Sequence, residues 1–181
     1  GATSGNCKVT TSSTSCTVTL PTITANTGYT SVGWSSTSGA TTGTAAGASH
    51  TLSTNGTTLY ANATANSYTI SYTLNGGTAG TNKPTSGTYN SDVTISNPTK
   101  TGASFEGWTS TTLGSNAKTG TVANPTTAWT GTLTKNTYFR NLRESGTATL
   151  VANWKYTATF YYYNGTAVTS TTASCTGTTS C

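Results

Sequence analysis

The stretch Ser67–Thr78 reads SYTISYTLNGGT. Tyr68, Ile70, Tyr72 and Leu74 alternate with Thr69, Ser71 and Thr73, the period-two pattern of a strand with one buried face. Asn75-Gly76-Gly77 follows, and these residues tolerate the left-handed backbone of a tight turn. Nearly the same text returns as KYTATFYYYNGT at Lys155–Thr166. The copy places Tyr156, Ala158, Phe160 and Tyr162 on one face and turns the chain at Asn164-Gly165.

Two further blocks repeat. GYTSVGWSSTSG at Gly28–Gly39 returns loosely as GASFEGWTSTTLG at Gly102–Gly114, and TTLYANAT at Thr57–Thr64 returns as ATLVANWK at Ala148–Lys155. Labelled A (opening strand), B (the GxxxxGW segment) and C (closing strand), the blocks run B-C, A-B-C, A. The indoles of Trp34, Trp108 and Trp154, with Tyr68 and Tyr72, are the expected core anchors, because one aromatic ring buries more apolar area than several Thr methyls. The blocks divide the chain into residues 1–66, a repeat lacking its first strand, residues 67–155, a complete repeat, and residues 156–181, the first strand and hairpin of a further one. Thr126–Trp129 is long enough for one helical turn, and no long amphipathic helix is evident.

Composition agrees. Of 181 residues 32% are apolar and only 6% charged, while ten Tyr, four Trp and three Phe punctuate Thr-rich alternation. Disordered chains carry more charge and fewer aromatics. Thr and Tyr favour a half-buried pleated surface, so the fold class is all-β, or β-rich α+β with little helix. The net charge of +5 is eight basic residues less three acids, six scattered lysines with Arg140 and Arg143 as the only close basic pair, without the clustered footprint that binds nucleic acid. No apolar run is long enough to span a membrane as a helix. The chain opens without Met or a signal peptide, which reads as a processed piece of something longer.

The run YTISYTLNGGT, then NPTKTGASFEGWTS, then ATLVANWK resembles the Listeria–Bacteroides repeat, the B-repeat of internalin B and many bacterial surface proteins. Its pattern is an aromatic strand ending in N-G-G, then P-T-x-x-G-Y-x-F-x-G-W, then L-Y-A-x-W. The middle unit keeps Pro98, Thr99, Gly102, Phe105, Gly107 and Trp108 but has Ala103 at the Tyr position. The first unit keeps Tyr29, Gly33 and Trp34, with Ser31 at the Phe position and Ala63 at the closing Trp. The resemblance implies tandem β-grasp, ubiquitin-like units in a secreted or wall-attached protein serving as stalk, spacer or adhesin.

Groups able to do chemistry are scarce. The acids are Asp92, Glu106 and Glu144, and the single histidine is His50. Glu106 is expected to face solvent, opposite Phe105, and His50 to sit in an exposed loop without a nucleophile elbow. No metal-ligand cluster or phosphate-binding glycine loop appears, so neither enzyme activity nor a cofactor is expected. Cys7 with Cys16 and Cys175 with Cys181 are spaced for two local disulfides and an extracellular address rather than for zinc, with reduced thiols as the alternative. An isopeptide between Lys and Asn stays open.

The chain's partners follow from the A block without its B and C. Tyr156–Tyr163 is expected to add as a strand to an N-terminal unit, within the same chain or head-to-tail on a further copy, the latter building a filament. The rival reading is an adhesin that binds glycans or a host surface protein through Tyr161-Tyr162-Tyr163. Three consecutive strand residues cannot all point one way, so at least one of these is expected in a core.

Overall fold

The computed structural model describes residues 5–177, which divide after Asn66 into two compact units. Every regular element among the described residues is a strand, so the chain belongs to the all-β class. Thr126–Trp129 forms no helical turn. Thr127–Ala128 is instead a short strand, because the Trp129 amide is drawn to the Ala117 carbonyl, 2.9 Å away.

The first unit holds β1 (Cys16–Thr19), β2 (Tyr29–Ser35), β3 (Ser49–Leu52) and β4 (Tyr60–Ala65). They form two antiparallel pairs, β1 with β3 and β2 with β4. A disulfide joins Cys7 to Cys16 at the start of β1. Its deeply buried side chains among the described residues are only Leu20 and Asn62, while Trp34 is half-buried.

The second unit contains β5 (Ser67–Thr73), β6 (Ser86–Thr88), β7 (Asp92–Thr94), β8 (Ser104–Thr109), β9 (Lys118–Gly120), β10 (Thr127–Ala128), β11 (Tyr138–Arg140), β12 (Thr147–Tyr163) and β13 (Val168–Gly177). One sheet runs β13-β12-β5-β6, with β8 also on β12, and the other runs β10-β9-β11-β7. Both sheets feed one core. Tyr68, Ile70, Trp108, Leu150, Ala152 and Trp154 come from the first, Val93 and Phe139 from the second, and Trp129 and Leu142 from the connections. Tyr72 is partly buried against this core, its ring edge-on to Trp108 at 5.7 Å. The opening strand β5 and closing strand β12 lie parallel, Thr69 to Thr73 against Thr147 to Val151.

The B and C blocks pair identically in both units. In β2–β4 the register slips between Ser31 and Gly33, and in β8–β12 it slips at the corresponding place, with Gly107 opposite Asn153 and Phe105 opposite Trp154. Each bulge carries a glycine at positive φ, +115° at Gly33 and +142° at Gly107. A third segment crosses there: Trp34 exchanges backbone hydrogen bonds with Thr44, and Trp108 with Thr134. A Cβ on Gly33 or Gly107 would sit 2.5 or 2.6 Å from the Thr44 or Thr134 carbonyl oxygen. The second glycine of GxxxxGW is therefore required by backbone crossing as well as by φ. Glu106 lies at the second of these bulges, and its side chain, 23% exposed, pairs with the exposed Lys135 at 3.2 Å.

Gly107→Ala is expected to cost the second unit at least about 2 kcal/mol, because left-handed strain and a carbonyl clash add. Gly102→Ala has φ +74° but nothing within 4 Å, so it should cost only about 1 kcal/mol. Urea denaturation of the two variants, followed by tryptophan fluorescence, checks the difference.

Burial raises the phenol of Tyr68 above its ordinary value, and burial, then the neighbouring Tyr68, raises that of Tyr72 further. In the unfolded chain both ionise near pH 10. The folded state holds those protons longer, so stability is intact below about pH 10 and falls as pH rises above it. Tyr72→Phe should lose about 1 kcal/mol at neutral pH, through its 2.7 Å bond to the Pro84 carbonyl, yet show a shallower alkaline decline in thermal melts.

Candidate functional site

β12 runs without a break through both the closing block and the copied opening block, so the block boundary between Lys155 and Tyr156 lies inside one strand. Three strands pair with it in succession. β5 borders Thr147–Val151, β8 borders Val151–Lys155 on the opposite edge, and β13 pairs with Trp154–Tyr163. At Trp154 and Lys155 both β8 and β13 are engaged, so β13 continues the edge that β5 occupies. Beyond Lys155 the edge that β8 occupied has no strand among the described residues. The result is a two-stranded arm, Tyr156–Tyr163 with Val168–Cys175.

The turn of this arm is built by Asn164. Its side-chain oxygen accepts the amides of Thr166 and Ala167, and its own amide reaches the Ala167 carbonyl. Antiparallel partners share a face. Tyr156, Ala158, Phe160 and Tyr162 with Cys175, Ala173, Thr171 and Thr169 therefore make one face, which continues the core side of Leu150, Ala152 and Trp154. Thr157, Thr159, Tyr161 and Tyr163 with Ser174, Thr172, Ser170 and Val168 make the other.

The arm repeats the opening hairpin of the second unit in register as well as in sequence. There Ser67, Tyr68 and Thr69 oppose Thr88, Gly87 and Ser86, and in the arm Lys155, Tyr156 and Thr157 oppose Thr176, Cys175 and Ser174. The surroundings differ. Tyr68 and Ile70 are 3% and 2% exposed, whereas Phe160 is 55%, Tyr161 74% and Tyr163 69% exposed. Tyr162 is exposed too, so the expectation that one of the three consecutive tyrosines enters a core fails. Tyr68 and Ile70 lie on a strand with neighbours on both edges, β6 and β12, whereas among the described residues the arm beyond Lys155 has β13 alone.

The root of the arm is pinned by Lys100, a residue whose role its sequence context did not signal. Its ammonium donates to the Tyr156 hydroxyl and the Asn75 carbonyl, each at 2.7 Å, and lies over the rings of Trp154 and Tyr156 at 5.7 and 5.4 Å. Charge-assisted bonds and cation–π contacts are the stronger polar contacts available at such a half-buried place.

The remaining candidates are dispersed. His50 is on β3 opposite Val18 and half-buried rather than in an exposed loop, since the Ser/Gly-rich stretch ahead of it turns and lets it pair. It lines a cleft of about 460 Å³ with Trp34 and Leu59. Asp92 accepts from Arg140 Nε at 2.7 Å and from the Asn124 amide, and Glu144 accepts from the Ser115 amide and hydroxyl. No two carboxylates converge on one cleft in these contacts. Among the described residues no group of three or more His, Cys, Asp or Glu is placed to hold a metal. Cys175 is disulfide-bonded, and its expected partner, Cys181, lies outside the described residues. No helix of the described residues is long and apolar enough to cross a membrane.

The model of the Listeria-Bacteroides repeat domain matches residues 1–62 and again residues 68–137. The chain belongs to this family. The two matches fall on either side of the division after Asn66, so each compact unit carries one copy of the repeat. No curated protein and no solved structure matches the chain. The family is a repeat module of bacterial surface proteins and is not known as a family of enzymes.

Lys100→Met keeps the side-chain stem and removes the charge and both hydrogen bonds. It should speed amide exchange at Tyr156–Ala158 about tenfold, equivalent to roughly 1.4 kcal/mol of local opening, and leave Leu150–Ala152 unchanged. Mass-spectrometric hydrogen exchange resolves the two segments.

Proposed function

We propose that this chain is a non-catalytic, extracellular structural module, a repeat segment of a bacterial stalk or filament, and that its arm joins copies by strand donation. The carrying observation is that one pattern, aromatic and aliphatic on alternate residues, is buried in β5 and solvent-facing in β12 beyond Lys155. Two-stranded hairpins are marginal in water by themselves. Soluble proteins usually guard exposed edges with lysine, proline or bulges. From Tyr156 to Tyr163 and from Val168 to Gly177 there is no charged residue and no proline. The arm has the character of a strand whose partner is another sheet.

Burial of one large side chain contributes about 1.5–3 kcal/mol, so Phe160 and Tyr162 together supply a substantial driving force beside the new ladder. Sedimentation velocity on the intact chain should show concentration-dependent association. Deleting residues 156–181 should abolish it while the tryptophan fluorescence of the second unit persists, because that unit's deepest anchors end at Trp154. Phe160→Lys should weaken association at least tenfold. Unchanged association in the deleted chain defeats the reading.

A second reading rests on the outer face, where Tyr161 and Tyr163 are the most exposed aromatics of the arm. Rings there suit the apolar face of a sugar or a host surface protein. Binding on a glycan array that Tyr161→Ala and Tyr163→Ala remove, with association intact, would favour this adhesin reading over a spacer.

A further inference from the structure

Within the second unit, the opening hairpin β5–β6 shows what the arm needs. β5 lies parallel beside β12, with Tyr72 opposite Leu150 and Thr73 opposite Val151, and the Tyr72 ring reaches Trp108. The first unit has the counterparts of β8 and β12, which are β2 and β4, paired through the same bulge. Its β2–β4 sheet contains those two strands alone. The side of β4 away from β2, where β5 would lie, is open among the described residues.

The consequences of that open edge are visible residue by residue. Ala152 and Trp154 are completely buried, while their counterparts Ala61 and Ala63 are exposed. Trp108 is 1% exposed, while Trp34 is only half-buried and borders a cleft with Leu59. Ala148–Leu150 belong to β12 because β5 pairs with them, whereas the corresponding Thr57–Leu59 lie outside β4 and pair with no strand among the described residues. Substituting Ala63 for the closing tryptophan leaves additional room on this face.

Resting on the proposed role of the arm, we infer that its acceptor is the open edge of β4 in a second copy of this chain, and that the arm enters parallel with Phe160 opposite Leu59 and Tyr161 opposite Tyr60. The register follows from superposing the repeat on itself: Tyr72 corresponds to Phe160, Leu150 to Leu59, Thr73 to Tyr161 and Val151 to Tyr60. Phe160 would then meet Trp34 as Tyr72 meets Trp108. The arm brings its own second strand, since β13 matches β6 in register. One donated hairpin completes the first repeat without unfolding either partner.

The direction of chain travel favours a second copy over the same one. The second unit begins at Ser67, and Thr69 is level with Thr147. Tyr163 lies sixteen positions further along the same strand, about 50 Å away at 3.3 Å per residue. The chain enters this unit at one end and the arm leaves at the other, the polarity of a head-to-tail series. A heterologous contact of this kind, repeated, makes an open filament unless the rotation closes a ring.

Mixing two single variants, Leu59→Cys in one preparation and Phe160→Cys in the other, under mild oxidation should give an intermolecular disulfide identified by peptide mass spectrometry. Tyr60→Cys with Tyr161→Cys provides a second matched pair on the other face, should Leu59→Cys fold poorly. Leu59→Cys mixed with Thr159→Cys, whose side chains would lie on opposite faces, should cross-link at least tenfold less. Equal cross-linking of matched and mismatched pairs overturns the assigned register. Efficient cross-linking between two Phe160→Cys copies, with the matched pairs silent, overturns the acceptor assignment and leaves arm-driven assembly standing. If the intact chain and the chain lacking residues 156–181 sediment identically as monomers, both the assembly role and this acceptor fall.

Discussion

The second unit depends on one contact, the packing of Trp154 beneath the turn that closes β5. Its indole N–H donates to the Leu74 carbonyl at 3.1 Å, and its ring occupies the space that a side chain on Gly77 would fill. Phe105 meets the ring edge-on at 5.7 Å, and Lys100 caps it. That single residue therefore ties the closing strand to the opening turn and to the GxxxxGW segment. Asn75 and Gly76 take φ of +51° and +80°, which returns the Gly77 amide to the Leu74 carbonyl and presents the turn to the ring. Gly165, the counterpart of Gly77, has nothing within 4 Å. Where no closing tryptophan arrives, the turn stands open.

The few charged groups serve this architecture. Arg140 holds Asp92 between two strands of the second sheet and also donates to the Asn124 side chain at 2.7 Å. Arg143 donates to the Thr112 carbonyl at 2.6 Å, and Glu144 secures Ser115. Exposed pairs such as Lys135–Glu106 contribute little stability. The contacts fix loops at the borders of a core that aromatic burial has already defined. A protein with so little free charge has correspondingly little electrostatic protection for an uncovered strand edge.

Much of this was legible in the residues themselves. Alternation in Ser67–Thr73 and in Thr147–Lys155 marks strands with one buried face, because the side-chain period of a strand is two. Asn-Gly pairs mark turns through their tolerance of positive φ. Alternation fails where backbone geometry departs from the regular pleat. The bulges at Val32 and Glu106 shift one residue out of phase, and only the crossing segments at Thr44 and Thr134 explain why a glycine must follow. His50 joined a strand because Val18 was available across the ladder, a partner 32 positions away. Lys100 gave no local sign of its role, since its three aromatic and carbonyl contacts converge from distant parts of the chain.

The sequence by itself determined the all-β class, the repeated opening, GxxxxGW and closing blocks, and which residues of each strand share a face. These are local properties, carried by side-chain period and turn chemistry. Only the tertiary structure decided which copies of the pattern are buried. Tyr68 and Phe160 occupy the same apolar face of one strand motif, yet one is covered and the other meets solvent. Burial belongs to the set of neighbouring strands, and a pattern of alternation contains no information about whether those neighbours have arrived.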